Sequence, residues 1–204
     1  MVKERGASMI EVLATLFMLT VGLMGQLGIH SELHKSSVES YQRTQAIVLI
    51  NNMIERMNAN RYSGPCYAIS TGSGSDFLGT EASAQLVDTI TCEGWGDVDT
   101  QAIAKNDLLE WDGFLKGMSA VDGNGQMVGA MLGARGCITL DSSTTPETYT
   151  VTIVWQGLTE SVESENTCAL GLFGTNTKRR VLSTTVQFAQ LMGDSSSLGG
   201  GGGG

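Results

Sequence analysis

The sequence predicts an α+β protein in which one long N-terminal helix packs on an antiparallel β-sheet head. Ala7 to Ile29 is an apolar run broken by one carboxylate, Glu11, and no proline precedes Pro65, so nothing stops a helix before about Asn60. An apolar face of Ala46, Leu49, Ile50, Met53 and Met57, flanked by Ile47 and Ile54, then returns at helical spacing and needs a surface to cover it. Downstream, Tyr149, Val151, Ile153 and Trp155 alternate with Thr150, Thr152 and Gln156, the pattern of a strand with one buried face.

The apolar run is long enough to cross a bilayer, since about 20 residues at ~1.5 Å each span the hydrocarbon core. Lys3 and Arg5 precede it and no basic cluster follows closely, so the positive-inside rule keeps the leader in the cytoplasm and carries the rest across. A secretory signal peptide shares the basic start and apolar middle. Glu11 inside the run, and a helical pattern that continues far past it, speak against that reading. A carboxylate costs on the order of 2.5–3.5 kcal/mol at a bilayer centre and less near an interface, so Glu11 either snorkels to water or meets a positive partner. The whole helix is a rod of about 80 Å, more than a bilayer needs. Gly22, Gly25 and Gly28 each cost it roughly 1 kcal/mol against Ala. They suit close helix packing, or a weak point where the helix extends within an assembly.

At 204 residues the chain has enough beyond this helix for one head with one core. The net charge of -9, with 12 Lys and Arg residues, opposes a nucleic-acid-binding surface over the whole head. Lys178-Arg179-Arg180 is the one basic run, and it reads as the solvated start of a strand. Cys66, Cys92, Cys137 and Cys168 all follow the apolar run, and an even count in an oxidising compartment reads as two disulfides. Four cysteines allow three pairings; Cys66 with Cys92 and Cys137 with Cys168 is expected, because sequence-local pairs suit a meander of strands. Each such loop stabilises a head by about 3–4 kcal/mol in the chain-entropy description.

His30 and His34 are four residues apart on the helix, but two ligands do not close a metal site, so solvated histidines and no metal are expected. Glu55, Arg56 and Arg61 should stay outside or pair at the helix end. Tyr62 to Pro65 ends the helix through Gly64 and Pro65, and Thr71 to Ser75 reads as a loop. A second helix is predicted from about Thr100 to Lys116, capped by Asp99 or Thr100, with Ala104, Leu108, Trp111 and Leu115 on its core face. Asp122-Gly123-Asn124-Gly125 is a hairpin turn, followed by strands at Gly136–Leu140, Tyr149–Gln156 and Arg180–Leu191. Ser142 to Glu147 and Leu158 to Thr177 connect them, and the longer of these is the better surface for a partner. Ser195 to Gly204, serines and then glycines, reads as a flexible tail.

A charged leader ending in Gly6, followed by Ala7-Ser8-Met9-Ile10-Glu11 and a long apolar helix, resembles the leader of type IV prepilins. The stretch from Tyr41 to Arg61 (YQRTQAIVLINNMIERMNANR), and more weakly Asp107 to Leu115 (DLLEWDGFL), is similar to the PilV minor pilins, the type IV pilus modification proteins. The resemblance implies a type IV pilin fold. It also implies cleavage between Gly6 and Ala7 by a prepilin peptidase, with methylation of the new amine and Glu11 pairing with the amine of a neighbouring subunit during assembly. The domains so implied are a leader at 1–6, a helix at 7–61 with 7–29 in the membrane or filament core, a periplasmic head at 62–194 and the tail at 195–204. The implied location is the inner membrane in a single pass, then the extracellular pilus near its tip. Implied partners are the major pilin, other minor pilins, a tip adhesin and the inner-membrane assembly platform, bearing on pilus assembly, twitching motility and adhesion.

No catalytic motif is visible: there is no Gly-x-Ser-x-Gly and no phosphate-binding loop, and both histidines sit on the membrane-proximal helix. Glu163 and Glu165 lie in a polar loop and read as solvated. The chain is therefore expected not to be an enzyme and to need no cofactor. Two other functions compete with the minor pilin. One is a pseudopilin of a type II secretion system, with the same leader and fold; the other is a DNA-uptake or other membrane-tethered binding domain, which the acidic balance disfavours.

Overall fold

The structure is a computed structural model that describes residues 8–70, 75–82, 85–90, 92, 94–127, 129 and 131–188, with Leu27 and Gln85 through their backbone only. The chain divides into two compact units, Met1–Arg43 and Thr44–Gly204. Helix α1 runs unbroken as Met9–Ala59 and contributes to both. Gly6, Ala7, residues 71–74 of the expected loop and the tail at 195–204 lie outside the described residues.

In the second unit the expected stripe of α1 is the core: Ala46, Ile50, Met53 and Met57 are buried, Leu49 and Ile54 pack beside them, and Ile47 stays exposed. The helix ends at Ala59 because the chain turns into a 3₁₀ segment, Arg61–Tyr67, around Gly64 and Pro65. Two short elements escaped sequence reading: β1, Leu78–Gly79, and α2, Gln85–Asp88. Neither is long enough to show a periodicity.

Helix α3, Val98–Leu115, begins earlier than expected, and its cap is Asp97 rather than Asp99 or Thr100. The Asp97 carboxylate accepts the Thr100 N–H at 2.8 Å while the Thr100 hydroxyl accepts the Asp97 N–H at 2.9 Å. That reciprocal pair satisfies two N–H groups, one of them an orphan donor of the first turn. Ala104, Leu108, Trp111 and Leu115 form its buried face, as their spacing predicted. The Asp122 turn is also present: its carboxylate accepts from Asn124 and Gln126 N–H, and Val121 bridges Met127 in antiparallel fashion.

The sheet is an antiparallel meander in the order β1-β2-β3-β4, with β2 at Arg135–Asp141, β3 at Thr148–Gln156 and β4 at Arg179–Gln187. Strand β4 starts one residue before the expected position and ends at Gln187; residues 189–191 of the expected strand are outside the described set. Gly136 on β2 lies under Trp111, and a β-carbon there would overlap the indole ring, so glycine is what lets α3 approach the sheet.

The expectation of one buried sheet face needs correction. Tyr149, Val151, Ile153 and Trp155 do face the main core, but Thr152 and Val154 are buried as well. The connection from Leu158 to Thr177 folds over the far face, where Cys137, Val154, Cys168, Ala169 and Phe173 form a second cluster. Both expected disulfides are present, Cys66–Cys92 and Cys137–Cys168, and the second ties this connection to β2.

The basic run is likewise not the solvated strand start that was expected. Arg179 is 2 % exposed and spends its guanidinium on the carbonyls of Cys168, Ser164 and Asn166 at 3.0, 3.0 and 2.6 Å. Burial lowers its pKa, against an opposing pull from Glu163. Arg180 donates to the carbonyl of Thr159 at 2.8 Å and to the Thr159 hydroxyl at 3.0 Å. Arg179 thus organises the loop from within the protein, while Arg180 holds it from a half-exposed position.

Candidate functional site

Two regions carry the residues that sequence reading singled out. The first is the leading part of α1. Its large apolar side chains are open to the surroundings, from 85 % exposure at Met9 through 70 % at Phe17 to 64 % at Ile29. The helix is long and apolar enough to cross a membrane by length and composition. Its threonines suit an apolar medium: the Thr15 hydroxyl donates to the Val12 carbonyl at 2.9 Å and the Thr20 hydroxyl to that of Phe17 at 2.8 Å.

Glu11 sits in the first turn of this helix, its side chain exposed and without an ion-pair partner among the described residues. Its backbone N–H donates to the Ser8 carbonyl at 2.9 Å. A negative charge near a helix N-terminus gains from the helix dipole. In an apolar medium that gain does not replace a counter-ion. Gly22, Gly25 and Gly28 lie within unbroken helix, and a β-carbon at any of them would meet open space. His30 and His34 are exposed, and no cluster of metal-ligating side chains occurs among the described residues.

The second region lies within the head, where the two stretches that carried the family resemblance meet. From α1, Arg56 reaches the Asp107 and Glu110 carboxylates of α3, each at 2.7 Å, and its Nε donates to Asn52 at 3.0 Å. The other Asp107 oxygen accepts the Tyr67 hydroxyl at 2.6 Å. Asn60 closes the set by donating to the Thr100 carbonyl at 2.7 Å and to the Tyr67 hydroxyl at 3.2 Å. Burial, then the bond to Asp107, raises the Tyr67 pKa beyond the ordinary phenol range. Alongside, the Trp111 indole N–H donates to the Leu49 carbonyl at 3.1 Å.

Of the expected pairs at the helix end, Arg56 therefore does pair, while Glu55 stays exposed and Arg61 rests over the Tyr62 ring. Tyr67 escaped sequence reading because no spacing links it to Asp107, forty residues away. A cleft of about 170 Å³ opens beside this network between α1 and the segment after α3, and its lining, which includes Val48, Leu49, Phe114 and Met131, holds no titratable side chain.

The fold and these regions define an α+β protein with a disulfide-bonded head and one N-terminal helix suited by length and composition to a membrane. Comparison with known proteins finds no matching family model, no matching curated protein and no matching solved structure.

Proposed function

We propose that this chain is a minor pilin of the PilV kind, which helps to prime a type IV pilus and sits near its tip. The observation that carries this reading is Glu11: a carboxylate with no ion-pair partner among the described residues, in the first turn of an exposed apolar helix that continues without a break into the core of a disulfide-bonded head. A lone acid in that place is a burden for a simple membrane anchor and an asset for a subunit that meets a free amine on its neighbour. Cleavage after Gly6 supplies such an amine at Ala7, four residues before Glu11. The contacts of Arg56 with Asp107 and Glu110 support the same reading, because they give the two pilin-like stretches a shared task in fixing helix to head.

In this account the chain is inserted in the inner membrane, is cut by a prepilin peptidase and is drawn into the filament with the major pilin, other minor pilins and a tip adhesin. Its contribution is to assembly, twitching motility and attachment, with no reaction of its own. Replacing Glu11 with alanine tests it: the variant should remain in the membrane fraction and disappear from sheared pili. Normal piliation with normal incorporation of the variant would count against the assignment. Co-purification with major and minor pilins, as opposed to secretion-system pseudopilins, separates the pilus from the secretion machine.

A further inference from the structure

We infer that the outer edge of β4, which no other strand among the described residues covers, is a docking strip on which an extended segment of a different protein adds a further strand to the sheet. In the order β1-β2-β3-β4, the last strand is hydrogen-bonded on one side. The Gly157 N–H donates to the Lys178 carbonyl at 2.7 Å, and with the register Gln156↔Arg179 to Thr148↔Gln187 this fixes the alternation. The peptide groups of Arg180, Leu182, Thr184 and Val186 face β3, and those of Val181, Ser183 and Thr185 face away from the sheet. No described residue takes up these three outward groups.

Proteins blunt such edges with lysine, proline, a bulge or a covering segment. From Val181 to Gln187 there is no charged residue and no proline, and the register with β3 is unbroken. Leu182 and Val186 pack against the core while Ser183 and Thr185 are exposed, so an added strand meets a neutral hydroxyl-bearing strip. Main-chain pairing of this kind supplies affinity without a pocket.

Charge selects the occupant. Lys178 stands just before the strand, and the strip from Val181 to Gln187 that follows it carries no charge of its own. The fitting segment is uncharged through its middle, with an acidic residue against Lys178. A second copy of this chain brings the same net charge of -9, and that repulsion favours a different protein.

The test compares residue-resolved amide exchange in the full chain purified in detergent micelles with the same chain in assemblies gently extracted from native membranes. In the micelle-bound monomer, Val181, Ser183 and Thr185 should exchange at least about 100-fold faster than Leu182, Thr184 and Val186, and in the assembly their protection should rise by a similar factor. Ser183→Pro removes one outward N–H and leaves the ladder to β3 intact. It should keep the head's Tm and lower recovery of the chain in the assembly about tenfold or more, with Ser183→Ala as the tolerated control. The inference is overturned by outward amides that gain no protection in the assembly, or by recovery of the chain only as a monomer. Protection already present in the dilute monomer also overturns it, since the chain then closes its own edge. So does protection that grows with monomer concentration, since the occupant is then a second copy. None of these readouts depends on the pilin reading, which stands or falls on Glu11 and the leader.

Discussion

The guanidinium of Arg56 on α1 lies 2.7 Å from the carboxylate of Asp107 on α3, so a residue in the last turn of the long helix is bolted to the middle of the second one. The bond is shielded: the side chains are 24 % and 14 % exposed, and Asp107 also accepts the Tyr67 hydroxyl. A partly buried pair of this kind stabilises chiefly through what is left unpaired when one member is lost.

Asp107→Ala should therefore destabilise the head by about 1–3 kcal/mol, because the buried Tyr67 hydroxyl loses its acceptor. Asp107→Asn should cost less, since the amide oxygen still accepts. Thermal unfolding of the two variants beside the parent checks this. An unchanged Tm for Asp107→Ala would mean that the network positions nothing.

Gly136→Ala should destabilise by about 1–3 kcal/mol or more, because the added methyl overlaps the Trp111 ring. Trp111→Phe removes the part of the ring that would collide. In the Trp111→Phe background, the further change Gly136→Ala should cost distinctly less than in the parent, a coupling that a double-mutant cycle by urea denaturation measures directly. Simple additivity would place the collision elsewhere.

Stability should fall as pH rises past about 10, where unfolded tyrosines ionise. In the folded head Tyr67 stays protonated beyond that point because of burial and then Asp107, and Tyr149 because of burial and then Glu147. The folded state then binds more protons than the unfolded one, and below that pH these two groups contribute no slope. Urea midpoints between pH 8 and 11 should drop in the parent and drop less in a Tyr67→Phe, Tyr149→Phe variant; equal slopes would contradict the burial of these hydroxyls. Asp97, held low by the N–H and then the hydroxyl of Thr100, acts at the other extreme. Its contribution is present above the usual aspartate range and lost as pH falls through the lowered pKa.

The long helix, the second helix, the three long strands and both disulfide partners were legible because each rests on a local signal: absence of proline, a period of 3.6, a period of 2, or sequence-near cysteines. Trp111 and the stripe from Ala46 to Met57 read correctly as core for the same reason. Arg179 was misread because a run of basic residues gives no sign that one of them will be enclosed by a loop folding back over the sheet. Thr152 was assigned to an open face for the same cause: whether a connection covers the second face is decided by tertiary packing that the strand itself does not encode. The cap was expected at Asp99 or Thr100, two or three residues after the Asp97 that forms it. Glu11 stood out from the start as a charge in an apolar run, and the structure adds that no described side chain neutralises it.

Intact-mass and N-terminal peptide analysis of the protein taken from native membranes tests the central assignment most directly. A minor pilin should begin at Ala7, with Met1 to Gly6 removed and the new amine free or methylated. A chain that retains Met1, or one cut well downstream of Ala7, would contradict the account.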